Sequence, residues 1–315
     1  MIDPSAAVRQ GLLALSRSDS ARRVVERVPV SRSVVRRLVA GDTAEDGIGV
    51  AADLVADGLL ASLVFLSEDV RDVAQATHTR DEYLSMLREL HECGLSADGA
   101  AEVSIKLSAL GRELPEDGAK IALDNARQIC EAAARAETTV TVATEDHTTV
   151  DSTLSIVRDL RADFPWVGAV LLADLRRTEA DCRDLATEGS RVRLCKGGGS
   201  TQAVAYQDEH EVDLSYVRCA KVLLAGKGYP MIATHDPAII DITRSLADKE
   251  LRAPDSFEFQ MFFGVRADEQ SRLAQAGHRM RVYLPYGSQW YPYVMHRLAE
   301  HPTGAVSGLR KNTRG

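Results

Sequence analysis

The strongest constraint on the fold is an alternation of short apolar runs with amphipathic helical stretches that repeats through most of the chain. The runs are short enough for strands, and the segments between them carry apolar residues at helical spacing. This order favours a parallel sheet, because parallel strands need long crossover connections. The eight strand candidates are Ala61–Leu66, Glu102–Ser108, Thr138–Ala143, Gly168–Ala173, Arg191–Cys195, Met231–Ala233, Phe257–Gln260 and Arg279–Leu284.

Helices are predicted between and after these strands. They are Glu116–Glu137, Ser152–Asp163, Arg177–Glu188, Leu214–Leu224, Pro237–Ala247, Glu269–Ala276 and Tyr291–Glu300. Eight β/α repeats predict an α/β fold of the closed (βα)8 TIM-like type, which takes about 250 residues. No G-x-G-x-x-G motif follows an early strand, so a Rossmann domain is disfavoured. Helical spacing in residues 1–45 predicts an N-terminal helical extension, and residues 46–315 are assigned to the catalytic barrel.

The composition excludes several classes of function. The 315 residues carry a net charge of −8, which is not the basic footprint of a nucleic-acid-binding protein. The five cysteines form no C-x-x-C pair, which argues against a disulfide framework and against a metal site. No apolar run reaches the roughly 18 residues of a membrane span, and the N-terminus lacks a signal-peptide pattern. We expect a protein of the reducing cytoplasm, with peripheral contact at the inner membrane as an alternative.

In a (βα)8 barrel the catalytic groups lie at the carboxyl ends of the strands, so polar residues there are interpreted functionally first. Lys106 lies in VSIKLSALG, a segment of apolar and small residues, and strand alternation puts Ser104 and Ser108 on the same face. A lysine inside a strand is costly to bury without a partner, which favours a role in a site. The alternative is a rim lysine that extends its ammonium group into water.

The segment RVRLCKGGG combines two cations with three glycines at the end of the fifth strand. Arg193 and Lys196 suit an anion such as a phosphate or a reduced flavin. Gly197, Gly198 and Gly199 let the backbone approach a ligand closely and offer N–H groups. The alternative is that these glycines form only a turn.

Polar residues also follow or occupy the sixth and seventh strands. Thr234 and His235 come directly after an apolar strand, where contact with a ligand is expected. A capping or packing role for His235 is the alternative. Glu258 and Gln260 share one face of FEFQMFFGVR, and two inward polar groups in so apolar a run need partners.

The last strand and helix, RVYLPYGSQWYPYVMHRLAE, carry groups suited to a small carboxylated substrate. Tyr283 ends the strand, and Tyr293, His296, Arg297 and Glu300 share one helix face by their spacing. A guanidinium binds a carboxylate through two hydrogen bonds while an aromatic ring covers the apolar part of the ligand. The alternative, a surface ion pair of Arg297 with Glu300, does not explain so many aromatic residues.

Five segments together resemble bacterial monofunctional proline dehydrogenases in order and spacing: SIKLSALG, RLCKGGG, ATHDP, FEFQMFFGVR and YLPYGSQWYPYVMHRLAE. The resemblance runs from about residue 60 to 302, and its last two motifs are the specific ones. It implies a distorted (βα)8 barrel, noncovalent FAD, and hydride transfer from L-proline to flavin that gives a cyclic imine. It also implies a quinone or another electron acceptor as partner.

The resemblance implies roles for individual residues. FAD contacts are expected at Thr144, Arg193, Lys196, Gly197, Gly198, Thr234 and His235, with Glu258 and Gln260 nearby. Substrate-pocket positions are Lys106, Tyr283, Tyr293, His296, Arg297 and Glu300. Roles in catalysis are expected for Lys106, Arg193 and Tyr283.

This chain departs from the family pattern on the substrate side of the flavin. The family has two adjacent arginines where this chain has His296 and Arg297, and it has an aspartate where this chain has Ala143. Leu172 takes the place of a glutamine, and Gly199 takes the place of an aromatic residue. One arginine and one histidine can still hold a carboxylate, but the pocket should differ in shape from that of a proline enzyme.

The missing aspartate leaves open which group pairs with Lys106. Asp174 and Glu145 share strand faces with Leu172 and Ala143, so either carboxylate could be the replacement, and Asp174 is included among the substrate-binding candidates. If neither pairs with it, a desolvated lysine could act as a neutral base toward the substrate ammonium.

Three functions are compatible with these residues. The default is oxidation of L-proline or another small amino acid-like amine by FAD. The second is a biosynthetic oxidation of a C–N or N–N bond in a different small acid, giving an imine or hydrazone. The third is a flavin-binding homologue without catalytic activity. The oligomeric state and the physiological electron acceptor stay open.

Overall fold

A computed structural model of the protein describes residues 35–198, 200 and 202–300. In these residues eight parallel strands close into a barrel in chain order, and β8 pairs with β1. The predicted (βα)8 fold is therefore confirmed. The strands are β1 Leu60–Phe65, β2 Ala101–Lys106, β3 Val140–Ala143, β4 Gly168–Leu172, β5 Arg191–Cys195, β6 Tyr229–Ala233, β7 Glu258–Phe262 and β8 Met280–Tyr286.

Helices occupy the outside of the barrel and one of its ends. They are α1 Ala44–Ala56, α2 Val73–Glu92, α3 Gly118–Arg135, α4 Val150–Arg161, α5 Thr178–Leu185, α6 Glu209–Ala225, α7 Pro237–Lys249, α8 Ala267–Gln275 and α9 Trp290–Glu300. Their starts follow local chemistry: the side chains of Asp72, Asp208 and Asp236 accept backbone N–H groups at the first turns of α2, α6 and α7. None of the described helices is long and apolar enough to cross a membrane.

The two terminal helices distort the regular barrel. The outer surface of β8 and β1 is covered by α1, which precedes β1. By contrast, α9, which follows β8, packs on Leu66 just beyond the carboxyl end of β1 and places Arg297 over Phe262 at the end of β7. A helix therefore lies beside the barrel opening where the catalytic groups of such folds are found.

The predicted N-terminal extension falls mostly outside the described residues. Its last part runs past the carboxyl end of β8, where the N–H of Ala40 donates to the carbonyl of Pro285. Thr43 and Asp46 then form a capping box that starts α1. The boundary at residue 45 stays a prediction.

The inside of the barrel is polar, whereas the apolar core lies between the strands and the helices. Along β2, Val103 and Ile105 face the helices, and both are fully buried in the larger apolar cluster. Glu102 and Ser104 alternate with them and face inward. The strand β2 ends at Lys106, and Ser108 begins a separate 3₁₀ turn, so the prediction that Ser108 shares the strand face was wrong. A polar barrel interior demands partners for each inward group, and these partners define the candidate site.

Candidate active site

Arg193 occupies the middle of the barrel interior and is 4% exposed. Its guanidinium donates to the Oε1 of Gln260 at 2.5 Å and to the hydroxyls of Ser104 at 2.9 Å and Ser62 at 3.1 Å. It also forms an ion pair with Glu102 at 3.3 Å. Contacts with three other strands, β1, β2 and β7, fix the position of this cation at the floor of the open end of the barrel.

A second ionic layer lies nearer the amino ends of the strands. Arg281 donates to both carboxylate oxygens of Glu258, at 2.7 and 3.1 Å, and the amide of Gln260 donates to the same carboxylate at 2.5 Å. Glu258 is 0% exposed and begins β7, two residues before Gln260. It therefore lies about 6–7 Å deeper along the strand than Gln260. The carboxylate of Glu258 is thus occupied by Arg281 and orients Gln260, and its predicted place near the cofactor stays a prediction.

The buried carboxylates of both layers are held ionised. Burial by itself raises the pKa of Glu102, but Arg281, Arg191 and Arg193 outweigh this effect and lower that pKa to about 2. Burial acts in the same direction on Glu258, and its pair with Arg281 again lowers the pKa below the ordinary value. The charged side chains inside the barrel are thus held in fixed ion pairs.

The inward side chains that end the strands are partly exposed, which leaves the carboxyl end of the barrel open. They include Lys106, Ala143, Leu172, Cys195 and Phe262. Lys106 and Ala143 are direct neighbours in the register of β2 and β3. Among the described residues, Lys106 makes no ion pair and no hydrogen bond through its side chain. A half-buried cation therefore stands beside a methyl group where the family pattern has a carboxylate.

Neither proposed substitute for the missing aspartate is ion-paired with Lys106. Glu145 accepts from the hydroxyl of Ser108 at 2.5 Å and from the guanidinium of Arg112 at 2.9 Å. Asp174 is 3% exposed and its carboxylate lies against Gly197, in the loop after β5. Neither residue therefore pairs with Lys106 in the described structure, and the substrate-binding role considered for Asp174 stays a prediction.

The loop after β5 brings Gly197 into close contact with Asp174. Gly197 has φ +118°, and a Cβ at this position would overlap the carboxylate of Asp174. We expect Gly197→Ala to cost about 1–3 kcal/mol of local stability through this strain and to reshape the loop. Limited proteolysis of the loop with thermal unfolding would measure the effect. Gly198→Ala is the matched control, since a Cβ there meets open space, and equal behaviour of the two variants would contradict the argument.

Lys196 follows β5 and points along the surface toward α6. It forms ion pairs with Asp213 at 2.6 Å and with Glu209 at 3.6 Å. Partial burial alone would lower the pKa of Lys196, but the hydrogen bond and charge of Asp213 raise it overall. The lysine stays cationic, and its predicted contact with a cofactor stays a prediction.

The other predicted cofactor positions are fixed by backbone contacts. The Oγ1 of Thr144 donates to the carbonyl of Val170 at 2.6 Å, and the Oγ1 of Thr234 accepts from the N–H of Asp236 at 3.1 Å. The Nε2 of His235 accepts from the N–H of Phe262 at 2.9 Å, and the two rings stack at 5.1 Å. The packing role considered for His235 is therefore present at the rim.

A row of cationic and aromatic side chains connects α9 to the barrel floor. The guanidinium of Arg297 lies 4.0 Å from the ring centre of Phe262 and 5.7 Å from that of Tyr293. The ring of Phe262 meets that of Tyr283 edge-on at 5.4 Å, and Arg193 lies 5.5 Å from Tyr283. The structure thus brings together four predicted site residues, Arg193, Tyr283, Tyr293 and Arg297, around a phenylalanine.

The sequence interpretation missed Phe262, although a signal for it exists. Phe262 follows Glu258 and Gln260 on the same face of β7, so alternation places it inward at the carboxyl end. His296 is exposed on α9, and its predicted role in carboxylate binding stays a prediction. The side chain of Glu300 and the position of Gly199 lie outside the described part of the structure.

A closed (βα)8 barrel with charged and aromatic side chains at the carboxyl ends of its strands defines a TIM-barrel enzyme. The sequence model of the family described as "Proline dehydrogenase" matches residues 48–308. The chain belongs to the proline dehydrogenase family, which is a family of oxidoreductases.

Individual relatives extend the match over nearly the whole chain. Proline dehydrogenase 1 of Bacillus subtilis is 34% identical over 281 residues, which cover 89% of this chain and 91% of the relative. Proline dehydrogenase of Deinococcus radiodurans is 36% identical over 285 residues, which cover 89% of this chain and 91% of that relative. Among solved structures, proline utilization A from Bdellovibrio bacteriovorus superposes with a TM-score of 0.78 at 20% identity. That match covers 85% of this chain and 32% of the longer protein, and it supports the fold alone.

Proposed function

We propose that this protein is an FAD-dependent dehydrogenase that oxidises L-proline to its cyclic imine. The observation that carries the proposal is the row from Arg297 through Phe262 and Tyr283 to Arg193 at the open end of the barrel. In this row Arg297 offers a cation for a carboxylate, and the rings of Phe262 and Tyr283 offer an apolar surface for the body of a ligand. Arg193 is a second cation, buried deeper in the barrel. The curated relatives named proline dehydrogenase, which match almost the full length, supply the reaction.

The chemistry of the barrel opening fits a flavin. A flavin ring has an apolar body and a polar edge of carbonyl and ring-nitrogen groups, and Arg193 and Gln260 present donors from the floor of the opening. Thr144, Thr234 and His235 lie around the rim at the ends of β3 and β6. Lys196 adds a cation for the phosphates of FAD, and Gly197 and Gly198 give its chain a close approach. Bound FAD would accept the hydride that the substrate loses.

The residues of this chain would perform the remaining tasks. Arg297 binds the substrate carboxylate, and its stacking on Phe262 holds the guanidinium plane in place. Tyr283 and Phe262 cover the apolar carbons of the ring and exclude water. The substrate ammonium must lose its proton before the nitrogen lone pair can form the C=N bond, and Lys106, at the carboxyl end of β2, is the ionisable side chain of the opening that would influence this step.

Two simple measurements test this proposal. The purified protein should show the absorption band of a flavin, and proline should bleach that band under anaerobic conditions. Proline with an artificial electron acceptor should then give steady turnover. A colourless protein that cannot be reconstituted would overturn the cofactor assignment. A flavoprotein that proline does not reduce would overturn the substrate assignment and leave the cofactor assignment standing.

The site of carboxylate binding is tested separately. We expect Arg297→Met to lower kcat/KM for proline by about 100-fold, mostly through KM, because a pair of charge-assisted hydrogen bonds is lost. Steady-state kinetics at varied proline concentration would measure the change. Arg88→Met, on the outside of α2, is the matched control and should behave as the wild type. A loss in kcat alone would place the carboxylate elsewhere.

One observation favours a second candidate, the oxidation of a different small carboxylated amine. Lys106 has Ala143 as its register neighbour and no ion pair among the described residues, so it is available for an acidic group of a substrate. In a proline enzyme the same bare cation would instead repel the substrate ammonium at close range.

The two candidates predict opposite effects of Ala143→Asp. For proline we expect kcat/KM to rise about fivefold to tenfold, because the new carboxylate neutralises Lys106. For a substrate whose acidic group is held by Lys106, we expect kcat/KM to fall by at least the same factor, because the new aspartate competes for the ammonium group of Lys106. Ala143→Asn is the neutral control of equal size. Rates for proline and for amino acids with a second carboxylate would be compared across the three proteins; a fall for proline would argue against the default substrate.

A further inference from the structure

A second concentration of cations lies at the opposite end of the barrel, away from the proposed active site. A cavity of about 600 Å³ opens there, and we call it the amino-terminal cavity. Its lining includes Arg191, Arg279, Arg281, Tyr229, Trp166 and Thr139. All three arginines lie at the amino ends of β5 and β8, or just before them.

Two of these arginines keep donor groups available. Arg191 donates to Glu102 at 2.8 Å through one terminal nitrogen, and its buried Nε has no hydrogen-bond partner among the described residues. Arg279 donates one hydrogen bond within the described structure, to the carbonyl of Asp98 at 3.3 Å, and its buried Nε is likewise without a partner there. In both guanidinium groups the other terminal nitrogen, Nη1, also makes no hydrogen bond among the described residues, so a ligand or water in the cavity would find donors there.

The local charge favours an anion. Arg191, Arg193 and Arg281 form ion pairs with two buried carboxylates, Glu102 and Glu258. Arg279 adds a fourth cation to the cavity wall, so the cations outnumber these carboxylates. Arg191 also affects a neighbouring arginine: burial first, and then repulsion by Arg191, lower the pKa of Arg161 to about 10.

Two further carboxylates lie at the edge of the amino-terminal cavity. Asp98 and Glu137 belong to its lining, but both residues are exposed, so water and salt screen their carboxylates. Tyr229 lies between two arginines, with its ring centre 4.8 Å from Arg191 and 6.0 Å from Arg279. This stacking holds both guanidinium groups at the wall and limits their freedom to turn away.

We propose that the amino-terminal cavity binds a small oxyanion, a carboxylate or phosphate group, through Arg191 and Arg279. Guanidinium groups match both kinds of oxyanion through paired N–H donors. Trp166 and Tyr229 flank the site and would contact the apolar part of a ligand that carries the anion. This binding site is independent of the reaction at the other end of the barrel.

Calorimetric titration of the purified full-length protein with inorganic phosphate and with citrate tests the proposal. Ionic strength is held constant with chloride. We expect at least one of the two probes to bind, and Arg279→Gln to weaken that binding by about tenfold or more. Arg272→Gln, on the exposed side of α8, is the matched control and should bind as the wild type. Binding of phosphate alone assigns a phosphoryl group, and binding of citrate alone assigns a carboxylate.

A fluorescence measurement locates the anion independently of Arg279. The chain has two tryptophans, so Trp290→Phe leaves Trp166 as the single tryptophan reporter in the amino-terminal cavity. Its emission should change with the same dissociation constant as the calorimetric titration. The proposal is overturned if neither probe binds at tens of millimolar, if Arg279→Gln binds as tightly as the wild type, or if Trp166 does not respond.

Discussion

Arg281→Met is expected to lower the free energy of unfolding by about 3–5 kcal/mol, because it leaves Glu258 as an uncompensated charge inside the barrel. Arg281 is 1% exposed and Glu258 is 0% exposed, so water cannot replace the lost partner. The same guanidinium also donates to the carbonyls of Ala61 at 2.9 Å and Gly99 at 3.0 Å. Urea unfolding followed by circular dichroism would measure the loss.

Two further variants separate the ion pair from general damage. Arg272→Met removes an exposed ion pair with Glu269 and should cost less than about 1 kcal/mol. Arg281→Met combined with Glu258→Leu removes both charges and should recover part of the loss, since a buried pair replaced by apolar groups is often tolerated. If Arg281→Met costs no more than Arg272→Met, the buried pair does not stabilise the barrel.

The same buried ion pairs determine how the stability of the protein changes at low pH. Glu102 and Glu258 have pKa values lowered below the ordinary 4.5, so their contribution is complete above that pH. It is lost as the pH falls through the folded-state pKa, which for Glu102 is about 2. Stability should therefore decrease between about pH 4.5 and pH 2.

Hydrophobic alternation was sufficient to predict the barrel, but it was weaker for individual helices and strand ends. The helix α2 was not predicted, because the first half of its buried face, Ala76, Thr79 and Tyr83, is not strongly apolar and the apolar residues Met86, Leu87 and Leu90 come only in its second half. The end of β2 was placed two residues too late, since Leu107 and Ser108 continue the alternating pattern although the chain turns there. Tertiary contacts, not local pattern, set these boundaries.

The candidate site was predictable where strand position alone determines it. Arg193, Gln260 and Tyr283 follow from alternation and the end of the barrel that they occupy. Glu102 was missed, although it lies two residues before Ser104 on the same face of β2, because its importance depends on arginines that are 89 and 91 residues away. Such pairings across a barrel leave no local signal in the sequence.

The failed search for a partner of Lys106 has a similar cause. Alternation places Glu145 and Asp174 on the correct faces only as long as the strands continue, and both residues come after β3 and β4 have ended. In the loops, Glu145 turns to Arg112 and Asp174 lies against Gly197. Because position 143 is an alanine, the charge of Lys106 at the barrel opening is not neutralised by a neighbouring acid. The choice between proline and a different carboxylated substrate depends on this charge.

Arg193→Met is expected to lower kcat by about 100-fold to 1,000-fold, because a preorganised, buried cation at the floor of the proposed active site is removed. The guanidinium is held by Ser62, Ser104, Gln260 and Glu102, so its charge needs no rearrangement when negative charge develops above it. Flavin content should fall as well, since the same group supplies donors to the proposed cofactor. Stopped-flow reduction by proline and the flavin-to-protein absorbance ratio would report the two effects separately.

Arg193→Lys is the decisive comparison because it keeps the charge and loses the fork of donors. If charge alone matters, Arg193→Lys retains most of the rate; if the four fixed contacts matter, it loses nearly as much as Arg193→Met. We expect the second result, since a lysine cannot reach Gln260 and both serines together. Arg191 still pairs with Glu102 in either variant, so the fold should survive the substitution. Wild-type turnover in folded Arg193→Met protein would remove this arginine from the catalytic groups.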